Sequence, residues 1–78
     1  MGFFSSPKIF TTHQQIHEAL YHITSLDEQQ REVVYQAFVE KLGDGGVTAE
    51  ELKKVAQNLR AEGVISEIDK QNLLHLIK

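Results

Sequence analysis

Four helix-start signals within 78 residues constrain this chain more than any other feature. Thr12-x-x-Gln15, Ser25-x-x-Glu28 and Thr48-x-x-Glu51 each read as a capping box. In such a box the hydroxyl oxygen accepts a bond from a free amide at the helix start, and the Gln or Glu side chain accepts one from the cap residue's own amide. Ser66 reads as a fourth N-cap, with Asp69 in the first turn, where the helix dipole favours an acid. Each signal opens onto apolar residues at helical spacing. Ile16, Ala19, Leu20 and Ile23 form one stripe; Val33, Val34, Ala37, Phe38 and Leu42 form a wider arc with Tyr35 at its edge. Leu52, Val55, Ala56 and Leu59 form a third, and Leu73, Leu74, Leu76 and Ile77 cover most of a fourth helix. Val47 and Leu52 stand at the two positions of a hydrophobic staple. Gly43 reads as a left-handed helix stop, and Gly63 follows the end of the third helix.

The expectation is an all-α domain with helices over about 13–23, 26–42, 49–61 and 67–77, arranged as two helical hairpins. Residues 1–11 form an irregular N-terminal arm, and residues 12–78 the single domain. Gly46-Val47-Thr48 and Gly63-Val64-Ile65-Ser66 both set an apolar residue between a glycine and a cap. That is a repeated hairpin grammar, too short to be a solenoid repeat.

A chain of this length buries only about 60% of its unfolded surface, so its core is modest. With no cysteine, neither disulfides nor a cysteine-based zinc site can reinforce that core. Packing, capping or association with another chain must do so. The net charge is −3, and the eight basic residues are scattered, with no stripe that would follow a phosphate backbone. Apolar runs fall far short of the ~20 residues of a membrane span. No charged-then-apolar leader opens the sequence, so a cytoplasmic location is expected. Met1-Gly2-Phe3-Phe4-Ser5-Ser6 fits the short myristoylation pattern, but a bulky Phe3 beside the acceptor glycine fits it poorly. The arm reads instead as one whose Phe3 and Phe4 fold back on the core or onto a partner.

Two stretches resemble known families. Residues 43–52, GDGGVTAEEL, are similar to the loop and exit helix of an EF-hand. The resemblance would place Asp44, Gly45, Val47, Thr48 and Glu51 at loop positions five, six, eight, nine and twelve. Position one then falls on Glu40, and position three on Leu42, which has no oxygen to offer. Calcium takes six to eight oxygens, so the loop is read as a helix–helix connection that keeps the turn and loses the ion. Residues 51–74, ELKKVAQNLRAEGVISEIDKQNLL, resemble the short C-terminal domain (SHOCT) hairpin through Leu52, Leu59, Gly63, Ile65, Ser66, Asp69, Leu73 and Leu74. Asp69-Lys70 departs from the acidic-aromatic pair of that pattern. The resemblance implies an oligomerisation or docking hairpin without catalytic residues.

The same stretch also has the leucine and glycine spacing of a nucleic-acid-binding helix-turn-helix. Glu50, Glu51, Glu67 and Asp69 at the helix starts would repel phosphates, which counts against that reading. His13 and His17, at i and i+4, put two imidazoles on one helix flank, half of a zinc site. No third ligand follows in sequence, although His75 is available in space, so a metal-responsive module is the remaining alternative. No nucleophile elbow or phosphate loop is present, and no enzyme activity, cofactor or small-molecule substrate is inferred. The function expected is therefore non-catalytic contact with a protein partner or a second copy. The candidate interface comprises Phe3, Phe4, Ile9 and Phe10 of the arm with Leu73, Leu74, Leu76 and Ile77 of the last helix.

Overall fold

A computed structural model describes residues 8–43 and 45–77. The chain order is β1 (Lys8–Phe10), α1 (His13–Tyr21), α2 (Glu28–Leu42), β2 (Val47–Thr48), α3 (Ala49–Ala61) and α4 (Glu67–Leu74), closed by a 3-10 turn at His75–Ile77. This is a mostly helical domain with one two-stranded antiparallel ladder, β1 against β2. α1 packs on α2, and α3 packs on α4, with α2 against α3 joining the two pairs. Among the described residues, no helix is long and apolar enough to cross a membrane.

Capping explains where the helices begin. Thr12 Oγ1 accepts from the Gln15 amide at 3.2 Å, and Gln15 Oε1 accepts in return from the Thr12 amide at 3.3 Å. Thr48 with Glu51, and Ser66 with Asp69, close reciprocal boxes of the same kind. The second helix departs from expectation. Its N-cap is Asp27, not Ser25: Asp27 Oδ1 accepts from the Gln30 amide at 2.8 Å and Gln30 Oε1 accepts from the Asp27 amide at 3.0 Å. The physical reason lies across the molecule, where the Ser25 hydroxyl donates to Asp69 instead of serving α2.

The helix ends are likewise set by backbone geometry. Gly63, at φ 79°, closes α3: its amide donates to the Arg60 carbonyl at 3.1 Å and that of Val64 to the Leu59 carbonyl at 2.9 Å. These are the two bonds of a Schellman motif. Gly43 does not act as a left-handed stop; it stays right-handed at φ −60°. Gly45 and Gly46, at φ 102° and 128°, take the left-handed turn in its place. The first helix ends at Tyr21 and the fourth at Leu74, both shorter than their apolar patterns.

The described end of the arm, Lys8–Phe10, is a strand. Lys8 pairs with Thr48 and Phe10 with Val47, leaving Ile9 as an extra residue on β1, a bulge. A Cβ on Gly46 would come within 2.9 Å of the Phe10 carbonyl oxygen, so only glycine lets the two segments approach this closely. The core draws on both strands and all four helices: Phe10, Ile16, Leu20, Ile23, Leu26, Val34, Phe38, Val47, Leu52, Val55, Ala56, Leu59, Ile65 and Leu73 are buried. Phe38 is fully enclosed and meets Phe10 in a tilted ring contact, 5.7 Å between centroids. Val33, assigned above to the core arc, faces outward at 42% exposure.

Candidate functional site

Glu51 and Thr48 show what became of the calcium-type loop. Glu51 Oε1 accepts from the Thr48 amide at 3.0 Å and lies 3.4 Å from its hydroxyl, so the carboxylate expected at position twelve is spent on the cap. Glu40 and Leu42 lie inside α2. Asp44 falls outside the described residues. Val47 is fully buried and joined to Phe10, so strand pairing holds this loop in shape.

The histidine pair has a different occupation. His13 and His17 both stand edge-on to Tyr35, each with ring centroids 6.4 Å away and interplanar angles of 77° and 87°. Among the described residues, no third histidine or carboxylate converges with them into a metal-holding group. His75 lies at the end of α4, where its amide closes the helix.

The residues of the candidate interface separate into three sets. Phe3 and Phe4 lie outside the described residues. Phe10 and Leu73 are buried in the chain's own core, which removes them from any contact surface; Phe10 is carried inward by β1, and Leu73 by the inner face of α4. Ile9, Leu74, Leu76 and Ile77 pack against the core from outside and are half-buried. Ile68 on α4, at 66% exposure, adds an outward apolar side chain.

Two polar clusters not anticipated above join separate parts of the fold. In one, Asp69 is 2% exposed, with Oδ1 accepting from the Ser25 hydroxyl and Oδ2 from the Ser66 amide at 3.0 Å. Asn72 Nδ2 also donates to Ser25 Oγ, at 3.0 Å. Burial pushes the Asp69 pKa up, but the Ser25 hydroxyl and the Ser66 amide and side chain together outweigh it, and the carboxyl is held below its usual range. Periodicity carried a signal for this role, since Asp69 lies four residues before Leu73 and so shares its inner face. In the other cluster, Arg31 gathers three carbonyls from the end of α1 and the connection that follows. Its Nε donates to Leu20 O at 3.1 Å, and its Nη2 to Ile23 O at 3.1 Å and Leu26 O at 2.9 Å. No local pattern marks Arg31 for this, because its partners are backbone atoms brought near by the α1–α2 packing.

At the outer surface, Glu67 pairs with Arg60 and Lys70, each at 3.3 Å, and ties α4 to α3. The Gln71 amide and then Lys70 hold its pKa down. Two open grooves flank α2. One, of about 390 Å³, is lined by Gln29, Gln30, Glu32, Val33 and Val64. The other, of about 530 Å³, runs between α1 and α2 past His17, Tyr21, Glu28, Glu32 and Tyr35. No family model matches the chain, and no curated protein or solved structure matches it.

Proposed function

We propose that this chain is a small, non-catalytic protein-interaction module that acts through apolar contact, with a second copy of itself as the partner. The observation that carries the reading is the outer side of α4 and its closing turn, where Ile68 is exposed and Leu74, Leu76 and Ile77 are only half-buried. Apolar side chains left open to water along one terminal element are usual material for a contact surface. Covering them contributes about 25 cal/mol per Å² removed from water, before association costs. The docking role implied by the SHOCT-like stretch agrees with this reading, as does the use of Glu51 and Asp69 in caps rather than at an open reactive site. The cytoplasmic setting expected from the sequence belongs to the same proposal.

The test is the association state of the full chain by sedimentation equilibrium, beside a Leu76→Glu/Ile77→Glu variant. Removing the segment after Asn72 would be a poorer test, because it takes away the buried Leu73. The expected result is a concentration-dependent dimer that the substitutions convert to monomer. A chain that stays monomeric at every concentration overturns self-association. Salt-sensitive retardation of random duplex DNA would favour a nucleic-acid binder in its place, and a zinc-dependent rise in melting temperature a metal-responsive module.

A further inference from the structure

We propose that the groove between α1 and α2 receives a cationic group, the ammonium or guanidinium head of a lysine or arginine side chain from a partner, or that of a free polyamine. Three features of the groove converge on that chemistry. Its volume, about 530 Å³, falls in the range of ligand sites, roughly 300–1,000 Å³. Its walls are aromatic: Tyr21 from α1 is 69% exposed and takes no part in the core, while Tyr35 from α2 is half-buried and braced edge-on by His13 and His17. Its rim carries Glu28 and Glu32, and the ion pairs among the described residues, Glu67 with Arg60 and with Lys70, involve neither.

Arg31 also borders the groove, and its charge has to be accounted for. Its guanidinium is committed to the Leu20, Ile23 and Leu26 carbonyls. These lie at and just beyond the C-terminal end of α1, where the helix dipole is negative and offsets the cation. Glu28 and Glu32, by contrast, stand four residues apart on one helix face, a like-charge spacing that weakens a helix. Glu32 Oε2 accepts from Gln36 at 2.9 Å, a neutral donor that leaves its charge in place. A cation seated between these carboxylates would relieve that repulsion, while its apolar stem lies on the tyrosine rings. This site is separate from the α4 surface and does not depend on self-association.

The experiment is a titration of the full chain, followed by NMR, with an arginine- and lysine-bearing peptide, with spermidine, and with a glutamate-bearing control peptide. The expected result is saturable shifts at Tyr21, Glu28, Glu32 and Tyr35 with the cationic probes and none with the acidic control. Binding weakens about tenfold in Tyr21→Ala, in line with the cost of losing a cation–aromatic contact, and about tenfold in Glu28→Gln/Glu32→Gln, where the attracting carboxylate charge is removed. All three substituted side chains are exposed, and an unchanged melting temperature confirms that each variant folds. Saturation by the peptide alone assigns a protein source for the cation; saturation by spermidine as well extends the site to free amines. Absence of groove shifts at millimolar probe, or shifts unaltered by the substitutions, overturns the proposal. The Leu76→Glu/Ile77→Glu variant should bind the probes as the parent does, so failure here and failure of self-association remain distinguishable.

Discussion

Asp69 is the residue whose surroundings depart most from its chemistry, a carboxylate 2% exposed within a helical domain of modest core. It is tolerated because its oxygens accept from Ser25 and from the Ser66 amide, and a buried acid with satisfied bonds can stay charged. Its lowered pKa makes it a contributor to stability at neutral pH. That contribution is complete above the unfolded carboxylate value of about 3.9 and is lost as pH falls through the lower folded value. Asp69→Asn should therefore reduce stability at pH 7 and flatten the acid limb, as measured by denaturant unfolding from pH 7 down to pH 2. An acid limb of unchanged slope would refute this assignment. Arg31 belongs to the same scale: one side chain serves three carbonyls at and beyond the end of α1, adding to the turn bonds that Leu20 and Ile23 already accept from the backbone.

Among the elements, the β1–β2 ladder shows how one glycine admits a contact. Gly46 and Gly63 both have positive φ, but their surroundings differ. A Cβ at Gly63 meets nothing within 4 Å, so Gly63→Ala costs only backbone strain, about 1 kcal/mol. A Cβ at Gly46 would press on the Phe10 carbonyl at 2.9 Å and on Lys8 Cδ at 3.2 Å. Gly46→Ala should cost clearly more than Gly63→Ala in thermal unfolding and should speed hydrogen exchange in the ladder. Equal costs would mean that the ladder yields without resistance. The helices were legible because capping is local: Thr12, Thr48 and Ser66 are N-caps as their spacing predicts. The ladder was not, because three residues of β1 and two of β2, about 40 positions apart, carry no period of their own.

For the molecule as a whole, Phe38 is the largest of the fully buried side chains, set on α2 against Phe10 of the ladder. Typical stability of roughly 0.05–0.15 kcal/mol per residue implies only about 4–12 kcal/mol for a chain of this size. Phe38→Ala, at about 3–5 kcal/mol, would consume much of that. The expected outcome is a variant largely unfolded at physiological temperature by circular dichroism; a cooperative melt close to the parent's would show that the core can close over the gap. Sequence alone determined the helical class and three of the four N-caps, since each depends on side chains within four residues of one another, and the short connections between helices pointed to the two hairpins. Tertiary structure decided that Asp27 rather than Ser25 caps α2, that Gly45 and Gly46 rather than Gly43 turn the chain, and that Phe10 and Leu73 are core rather than surface. It also brought together the α1–α2 groove, where Tyr21 comes from α1 and Glu28, Glu32 and Tyr35 from α2. The reason is physical: caps and stripes follow from the rise and turn of one helix, whereas burial and bond partners follow from which helix lies against which.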